Sequence, residues 1–466
     1  MQHPFDSTRS LEFFPDSVHV FKSMIHGWIN NKIIELPDYV VQNHGLTCSI
    51  VDVKHLSDLV QFEIGCDLKM ASGLNREDVD FVKPLSSFEK MKVKNATKYG
   101  NHTVAASLRF FSSATGRTDV LTTAFFLDVV ASWFGYMTAR KPALAFSHHN
   151  EEAYNKAIEL LSNFRLLIYD CKVGTKKHFK PWQSSAILAT DSMLRLVKFF
   201  LDEQNYSFFF GGRLTQDCVE NIFSQLRRRQ ARPSPLQVKN NLKLLCMSQY
   251  MDEITETSYE HDSREWLVGF SDRIKVVSSD KSTKPCTKLD LLPDSKENIE
   301  SNISSTINDD ELIEECQNLC NRTSERNVVY YLAGMVLRQI SSRRTVCNVC
   351  LTSCLAEQVI DDDFSLLTTL KDFNGKALTR VNENTFNFFL ELEEIYKRNI
   401  DDLRKINNNI EERLFSHTRT TPALHIPSCH NMKDKLIKRY IQFRLKIQHP
   451  KARKEKRYDS RSMALQ

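Results

Sequence analysis

The chain has 466 residues, of which 41% are hydrophobic and 26% are charged, and its formal net charge is +5. This length predicts about two to four domains. The low content of glycine and proline, 13 of each, excludes collagen-like and low-complexity proteins. Because the net charge is small, any nucleic-acid site must be a local patch and not a property of the whole chain.

Localisation is predicted from what the sequence lacks. No apolar run approaches the roughly 20 residues that span a bilayer, and the first residues show no signal-peptide pattern. Twelve cysteines without a secretory signal predict reduced thiols. We therefore expect a nuclear or cytoplasmic protein with no membrane association.

In chain order, the first predicted element is a short strand, SLEFF, which stops at Pro15 just before Asp16. A helix follows, in which these apolar residues fall at helical spacing: Val18, Phe21, Ile25, Trp28 and Ile29. Similar periodicity predicts helices over 50–63, 86–97, 102–112, 118–139, 151–169, 185–204, 216–229 and 235–249. The fold class is therefore expected to be mainly α with few strands.

Composition changes along the rest of the chain. Residues 273–308 are rich in Ser, Lys, Asn and Asp, which predicts a flexible linker. Helical periodicity returns over 309–447, and residues 448–466 form a basic tail.

The helix predicted over 235–249 has a clear start signal. Ser234 can serve as the N-cap, and Pro235 suits the first helical position. Gln237 completes a capping box with Ser234. These signals place the start of the helix at Pro235.

The helix predicted over 216–229 has two different faces. An apolar stripe, which we expect to be buried, consists of Val219, Ile222, Phe223 and Leu226. A polar face consists of Asp217, Glu220, Ser224 and Arg227. In one interpretation, the acids and arginines complement the helix dipole. In the other, a carboxylate is a Mg²⁺ ligand and the arginines beside it contact phosphates. The pattern alone leaves both interpretations open.

The segment GGRLTQDCVENIFSQLRRRQARPSPLQVKNNLKLL, residues 211–245, resembles the signature of P-element-type DNA transposases, which include the THAP-domain transposases. The glutamate of that signature is the final catalytic acid of the family's RNase H-like fold. The resemblance therefore implies this role for Glu220, with Asp217 beside it, and favours the metal interpretation.

Two further segments resemble the same family. FFPDSVHVFKSMIHGWINN, residues 13–31, is similar to a strand that ends in the second catalytic acid and leads into a helix. Asp16, His19 and Lys22 fall on that motif, and the resemblance implies the catalytic role for Asp16. TAFFLDVVASWFGYMTARKP, which ends at Pro142, is similar to part of the helical GTP-binding insertion between the second and third acids.

The resemblance covers most of residues 10–270 and, more weakly, 325–447. It implies a mainly α chain with a partial RNase H-like α/β remnant, a helical GTP-binding-type insertion domain and a helical C-terminal domain. The implied boundaries are 1–40 for the partial RNase H-like segment, 41–180 for the insertion, 181–272 for the end of the insertion and the RNase H-like part with the third acid, 273–308 for the linker, 309–447 for the C-terminal domain and 448–466 for the tail.

The sequence departs from the family in three respects. The family's first acid lies on an earlier strand, whereas 15 residues precede Asp16 here, so we expect an incomplete acidic triad. The zinc-binding THAP module is not found. Gly135 and Thr138 replace an Asp and an Asn that bind GTP with Mg²⁺ in the family, which argues against retained GTP binding. Lys92 and Lys94 are either phosphate contacts or part of a solvated face.

Two other groups of residues have ligand chemistry. A CxxC formed by Cys347 and Cys350, together with the distant pair Cys429 and His430, supplies the ligand types of a Zn²⁺ site. Buried thiols are the alternative. Sequence-independent DNA contacts are predicted for a basic cluster beside Glu220, which consists of Arg227, Arg228, Arg229 and Arg232, with Lys239 and Lys243 beyond it. Residues 451–457 of the tail are either a second set of DNA contacts, a nuclear-import signal or a solvated end.

Two functions are compatible with these observations. The first is a truncated or domesticated P-element-like DNA transposase, in which Asp16 and Glu220 hold Mg²⁺ beside Asp217, and which is inactive alone. The second is a non-catalytic DNA- or protein-binding module derived from a transposase. The expected partner is DNA, either transposon ends or non-specific duplex, and a homo-oligomer is compatible with both hypotheses.

Overall fold

The computed structural model describes residues 5–6, 11–81, 92–229, 232–251, 309–342, 346–356, 362–372, 378–406, 410–419 and 429–448. The predicted linker, residues 273–308, and the basic residues 451–457 of the tail lie outside these residues.

The described residues are mostly helical. The helices are α1 (Ser17–Asn31), α2 (Asp38–Asn43), α3 (Lys54–Phe62), α4 (Val93–Tyr99), α5 (His102–Thr115), α6 (Val120–Met137), α7 (Glu151–Asp170), α8 (Pro181–Lys198), α9 (Asp217–Arg229), α10 (Pro235–Met251), α11 (Asp309–Ser342), α12 (Asn348–Thr352), α13 (Leu366–Lys371), α14 (Glu383–Ile406), α15 (Ile410–Arg419) and α16 (Met432–Gln448). Short 3₁₀ turns cover Arg76–Val79, Pro142–Leu144, Gly211–Leu214 and Cys429–Asn431, and a π turn covers Phe199–Glu203.

One small antiparallel sheet, which the sequence did not predict, joins β1 (Ile33–Glu35), β2 (Ile50–Asp52) and β3 (Lys172–Val173). The strand order is β2-β1-β3. Ile34 pairs with Val51 on one side and with Val173 on the other. All three side chains are fully buried, so the sheet contributes one apolar row to the core.

The chain divides into two compact units. Unit 1 comprises Met1–Lys54, Phe81–Asn101 and Asp119–Glu297, and unit 2 comprises His55–Asp80, His102–Thr118 and Asn298–Gln466. Each unit is assembled from separate stretches, whereas the predicted domains are contiguous in sequence. The predicted boundaries therefore stay predictions.

The core of unit 1 is built around α1, which packs against α8, α6 and α4. Phe21 stacks on Phe134 of α6 with ring centroids 4.1 Å apart. Trp28 is fully buried, and its indole nitrogen donates to the carbonyl of Val51 at 3.4 Å. A Cβ at Gly27 would lie 2.6 Å from the Trp182 indole nitrogen, so the close approach of α1 to α8 requires glycine.

α6 is a core helix of unit 1. By length and composition alone it would also suit a membrane span, but its large side chains are packed within the unit. Phe126 and Trp133 are fully buried. Trp133 stacks on Phe164 of α7 at 4.8 Å, and its indole nitrogen donates to Thr190 of α8 at 2.9 Å. The apolar character of α6 is therefore explained by its contacts with α7 and α8.

Unit 2 contains a buried ion pair between two of its helices. Glu393 of α14 accepts hydrogen bonds from Arg444 of α16 at 2.8 and 2.7 Å, and from the Tyr440 hydroxyl at 2.7 Å. Arg444 is fully buried. A buried charge is tolerated when it is paired and hydrogen-bonded in this way.

Most predicted helices of unit 1 are confirmed. The periodic stretches over 118–139, 151–169 and 216–229 correspond to α6, α7 and α9. The predicted capping box is also present, because the Ser234 N–H donates to Gln237 Oε1 at 2.7 Å and the Gln237 N–H donates to Ser234 Oγ at 3.4 Å.

Two local predictions are wrong. Residues 11–16 form no strand; side chains of α8 hold this segment instead, through Ser192 Oγ to the Phe13 carbonyl at 2.7 Å and Arg195 to Glu12 at 2.8 Å. The helix predicted over 50–63 begins as strand β2 and becomes helical only at Lys54. Residues 86–91 of the helix predicted over 86–97 lie outside the described residues.

Candidate functional site

The candidate site of unit 1 begins with Asp16, at the N-terminus of α1. Its Oδ2 accepts a hydrogen bond from the His19 N–H at 3.3 Å, as expected of an N-cap. Its Oδ1 accepts a second hydrogen bond from the Gln216 N–H at 3.4 Å, just before α9. Asp16 is 8% exposed. One buried carboxylate therefore links the starts of α1 and α9.

A glycine turn places α9 beside the end of α6. A Cβ at Gly211 would overlap the carbonyl oxygen of Tyr136, and a Cβ at Gly212 would lie 2.8 Å from the carbonyl oxygens of Thr138 and Ala139. The Gly212 N–H donates to the Ala139 carbonyl at 3.0 Å. Only glycine permits this approach of two backbones. The contact therefore fixes where α9 begins.

Asp217, in the first turn of α9, is paired with Arg140. Arg140 Nη2 lies 2.6 Å from Asp217 Oδ2 and 3.4 Å from the Thr215 hydroxyl. Burial raises the pKa of Asp217, and the negative charges of Asp16 and Glu220 raise it further, while Arg140 acts in the opposite direction. The three carboxylates are therefore close enough to influence one another, and Arg140 neutralises one of them.

Glu220 lies one turn further along α9 and contacts His19 of α1. His19 Nε2 is 2.9 Å from Glu220 Oε1 and 3.6 Å from Asp16 Oδ2. Asp16, His19 and Glu220 each offer a ligand atom within 4.8 Å of the other two. The Asp16 side chain is 5% exposed, whereas the His19 and Glu220 side chains are 53% and 29% exposed. The cluster is anchored on one side and open to solvent on the other.

The sequence pointed to Asp16, Asp217 and Glu220 and placed His19 on a motif, but it gave His19 no ligand role and did not single out Arg140. His19 could have been recognised as a ligand, because it lies three residues after Asp16 and therefore on the same face of the helix. Arg140 carried no such signal, since its pairing with Asp217 depends on the fold. The structure brings Asp16, Asp217 and Glu220 together; their catalytic roles stay predictions.

The expected burial of the α9 apolar stripe is wrong for most of its residues. Leu226 is buried, but Val219, Ile222 and Phe223 are 53%, 43% and 51% exposed. The polar contacts at the start of α9 hold its acids against α1 and Arg140. The helix is thereby rotated so that the apolar residues of its first two turns face outward.

The predicted basic residues are only partly described. Arg227 and Arg232 are exposed, as are Lys239 and Lys243 of α10. The guanidinium of Arg227 lies 5.9 Å from the ring centroid of Phe223, one turn earlier. Arg228 and Arg229 belong to α9, but their side chains lie outside the described set.

Gly135 and Thr138, which replace the family's nucleotide ligands, supply neither a carboxylate nor a side-chain amide. Gly135 lies within α6 and has no side chain. The Thr138 hydroxyl donates to the Phe134 carbonyl of its own helix at 2.6 Å. Lys92 is the N-cap of α4 and Lys94 lies in its first turn, and both are exposed. Their phosphate contacts stay a prediction.

A second ligand cluster lies in unit 2. Cys347 Sγ is 3.7 Å from Cys350 Sγ, which is 3.9 Å from His430 Nδ1. The three ligand atoms all lie within 4.8 Å of one another. Three members of the predicted Zn²⁺ set are therefore adjacent, while the side chain of the fourth, Cys429, lies outside the described set.

Comparison with characterised proteins connects the chain to one group. The Transposable element P transposase of Drosophila melanogaster is 24% identical over 277 residues, which cover 57% of this chain and 34% of that protein. The chain is related to P-element-type transposases. The match spans about a third of the length of that relative. No protein-family profile matches the chain.

Among solved structures, a chain of the Drosophila P element transposase strand transfer complex is similar, with a TM-score of 0.45 and 20% identity over 54% of this chain and 55% of that chain. The relationship to P-element-type transposases agrees with the resemblance of segments 13–31 and 211–245. The Mg²⁺ site, the RNase H-like remnant, the loss of GTP binding and the missing THAP module all stay predictions.

Proposed function

We propose that this transposase-derived chain binds one divalent cation through Asp16 and Glu220, with His19 as an additional ligand, and holds DNA phosphates beside it. The observation that carries the proposal is the convergence of these three ligand atoms within 4.8 Å. The residues come from the starts of two helices, and Asp16 is fixed by hydrogen bonds from both. A rigid carboxylate of this kind is suited to bind a cation without a large ordering cost.

The donor set fits a divalent metal. Carboxylate oxygens suit Mg²⁺ and Mn²⁺, whereas imidazole is a ligand of transition metals. When bound, such an ion would neutralise a phosphate and activate water or a 3′-hydroxyl for attack on it. Without it, His19 bridges the two acids at 2.9 and 3.6 Å. Metal binding would replace these contacts with bonds from the same three side chains to the ion.

The DNA contacts are proposed for the exposed side of α9. Arg227 follows Glu220 by seven residues, about 10 Å along the helix axis, and is therefore two turns away on a neighbouring part of the surface. It is exposed, and a guanidinium binds phosphate oxygens without reading the base sequence. We therefore propose DNA duplex as the partner, bound with a strong dependence on salt.

Phosphodiester cleavage by this chain alone is not expected. A two-metal site needs about three carboxylates that converge on the ions. Of the three acids at this site, Asp217 is paired with Arg140 at 2.6 Å, which leaves Asp16 and Glu220 for the metal. Nucleotide binding is not part of the proposal, because Thr138 donates its hydroxyl to its own helix.

The metal proposal is tested by titrating the full chain with Mn²⁺ and measuring free Mn²⁺ by electron paramagnetic resonance. We expect one site whose affinity falls about tenfold or more in Glu220→Gln and in Asp16→Asn. Asp202→Asn is the control, because Asp202 forms an exposed pair with His148 at 2.8 Å and belongs to no three-ligand group among the described residues. Equal affinities in all four proteins would contradict the proposal.

The DNA proposal is tested separately, by fluorescence anisotropy with a random duplex at several salt concentrations. Replacement of Arg227, Arg228 and Arg229 by alanine should lower affinity and reduce the slope of log K against log salt by about one per lost contact. The control is Arg165→Ala with Arg195→Ala, because these arginines already pair with Asp191 and Glu12. An unchanged slope in the first variant would exclude α9 as the DNA site.

A non-catalytic binding role is the second candidate, favoured by the exposure of Val219, Phe223 and Arg227 on one helix. It predicts DNA binding that is unaffected by Glu220→Ala. A nicking assay on terminal-repeat duplex with Mg²⁺ tests the expected inactivity of the chain. Nicking that is abolished by Glu220→Ala would show that the chain is a competent nuclease and would overturn the expectation of inactivity.

A further inference from the structure

We infer that unit 2 carries a structural Zn²⁺ site whose protein ligands include Cys347, Cys350 and His430. In a tetrahedral site, Zn–S bonds of about 2.3 Å and Zn–N bonds of about 2.0 Å place two sulfurs about 3.8 Å apart and a sulfur and a nitrogen about 3.6 Å apart. The observed separations are 3.7 Å for the two Sγ atoms and 3.9 Å for Cys350 Sγ and His430 Nδ1. These two separations are close to those of a zinc tetrahedron, and all three ligand atoms lie within 4.8 Å of one another.

The short separation of the two sulfurs does not come from a disulfide. A disulfide requires an S–S distance of about 2.05 Å, well below the 3.7 Å found here. The two thiols belong to a CxxC in which Cys347 is the N-cap of α12 and Cys350 lies in its first turn. This arrangement aims two sulfurs at one point, which is the usual use of the motif in zinc sites.

The histidine reaches this point through an uncommon backbone conformation. His430 has φ 73° and ψ 12° and kinks the backbone within the turn Cys429–Asn431, just before α16. This left-handed conformation is costly for a residue other than glycine. It redirects the imidazole away from the path of a regular helix and toward Cys350, 80 residues earlier in the chain.

Burial of the cluster is graded. Cys350 is fully buried, Cys347 is half-buried and His430 is exposed. A metal can therefore reach the cluster from the His430 side, while the Cys350 side is shielded from water. A zinc ion here would tie the loop that carries α12 to the start of α16, two segments of unit 2 joined by a long stretch of chain. Such a crosslink stabilises the folded unit and depends on deprotonated ligands.

The site is tested by measuring zinc in the purified full chain by inductively coupled plasma mass spectrometry. We expect one zinc per chain in the wild type and loss of that zinc in Cys347→Ser, Cys350→Ser and His430→Gln. His430→Gln is the decisive variant, because its side chain is exposed and the substitution is compatible with folding. The control is Cys354→Ala, which removes a buried cysteine close to the motif that is not part of the cluster.

Two further measurements separate this site from the acidic one. Cobalt substitution should give the thiolate-to-metal absorption of a tetrahedral site in wild type and in Glu220→Gln, but not in His430→Gln. Chelation should lower the Tm of the wild type by about 5 °C or more and leave that of His430→Gln unchanged. A zinc-free wild type, or zinc retained in all three ligand variants, would overturn the inference without affecting the Asp16–Glu220 proposal.

Discussion

Asp16 accepts a hydrogen bond from the backbone N–H of Gln216, 200 residues further along the chain, at 3.4 Å. The same carboxylate caps α1 through the His19 N–H. This double role explains how the two acids predicted from the sequence become neighbours. The start of α9 is fixed to the start of α1, and Glu220 then lies one turn away from that contact.

Removal of the Asp16 carboxylate should cost stability as well as metal affinity. We expect Asp16→Ala to lower the free energy of unfolding by about 1–2 kcal/mol, because two helix starts lose an acceptor. Asp16→Asn keeps one amide oxygen and should lose less than half of that, while still losing metal affinity. Urea denaturation of both variants checks this. Equal stability of Asp16→Ala and the wild type would show that the caps contribute little.

The Gly211 turn should tolerate no side chain. A Cβ there would overlap the Tyr136 carbonyl oxygen, so we expect Gly211→Ala to destabilise the protein by about 1–3 kcal/mol and to weaken Mn²⁺ binding by shifting α9. Gly135→Ala is the matched control, because its Cβ would lie 3.7 Å from Leu144 and alanine favours a helix. The comparison is made by thermal denaturation, and similar losses in both variants would contradict the close-approach explanation.

Lys371 in unit 2 should make stability depend on pH. Burial lowers its pKa from 10.5 to about 8, against the opposing charge of Glu63. Between these values the unfolded chain binds more protons at this site than the folded chain, so its contribution to stability rises with pH over this window. Lys371→Met removes the cost of this half-buried charge.

We therefore expect Lys371→Met to be more stable than the wild type at pH 7, by at most about 3 kcal/mol, and this advantage to shrink as the pH approaches 10.5. Urea denaturation across this range measures it. Lys446→Met, at an exposed position of α16, is the control. An advantage of Lys371→Met that is constant with pH would mean that packing, and not charge, is responsible.

Replacing only one partner of the Glu393–Arg444 pair should lower the free energy of unfolding strongly. Arg444→Met leaves Glu393 buried without its cation, so we expect a loss of about 3–5 kcal/mol. Burial already raises the pKa of Glu393, and loss of Arg444 should raise it further. The double variant with Glu393→Gln should lose less than the sum of the single variants, because it leaves no uncompensated buried charge. Additive losses in the double-mutant cycle would show that the two side chains are not coupled.

The sequence by itself determined most of the helices and the local signals. The periodicity of α1, α6 and α7 and the Ser234–Gln237 capping box depend on residues close together in the chain, so they can be read without the fold. The sequence also pointed to Asp16 and Glu220 and to the cysteines of the CxxC, because short motifs preserve their spacing.

Tertiary structure alone decided which of these residues meet. The pairing of Arg140 with Asp217, the bridging position of His19 and the left-handed turn at His430 all depend on contacts between distant segments. The outward rotation of Val219 and Phe223 has the same origin, because polar contacts at the start of α9 overrode its apolar pattern. Periodicity specifies that a helix has an apolar face, whereas the direction of that face is set by the strongest contacts the helix makes with the rest of the fold.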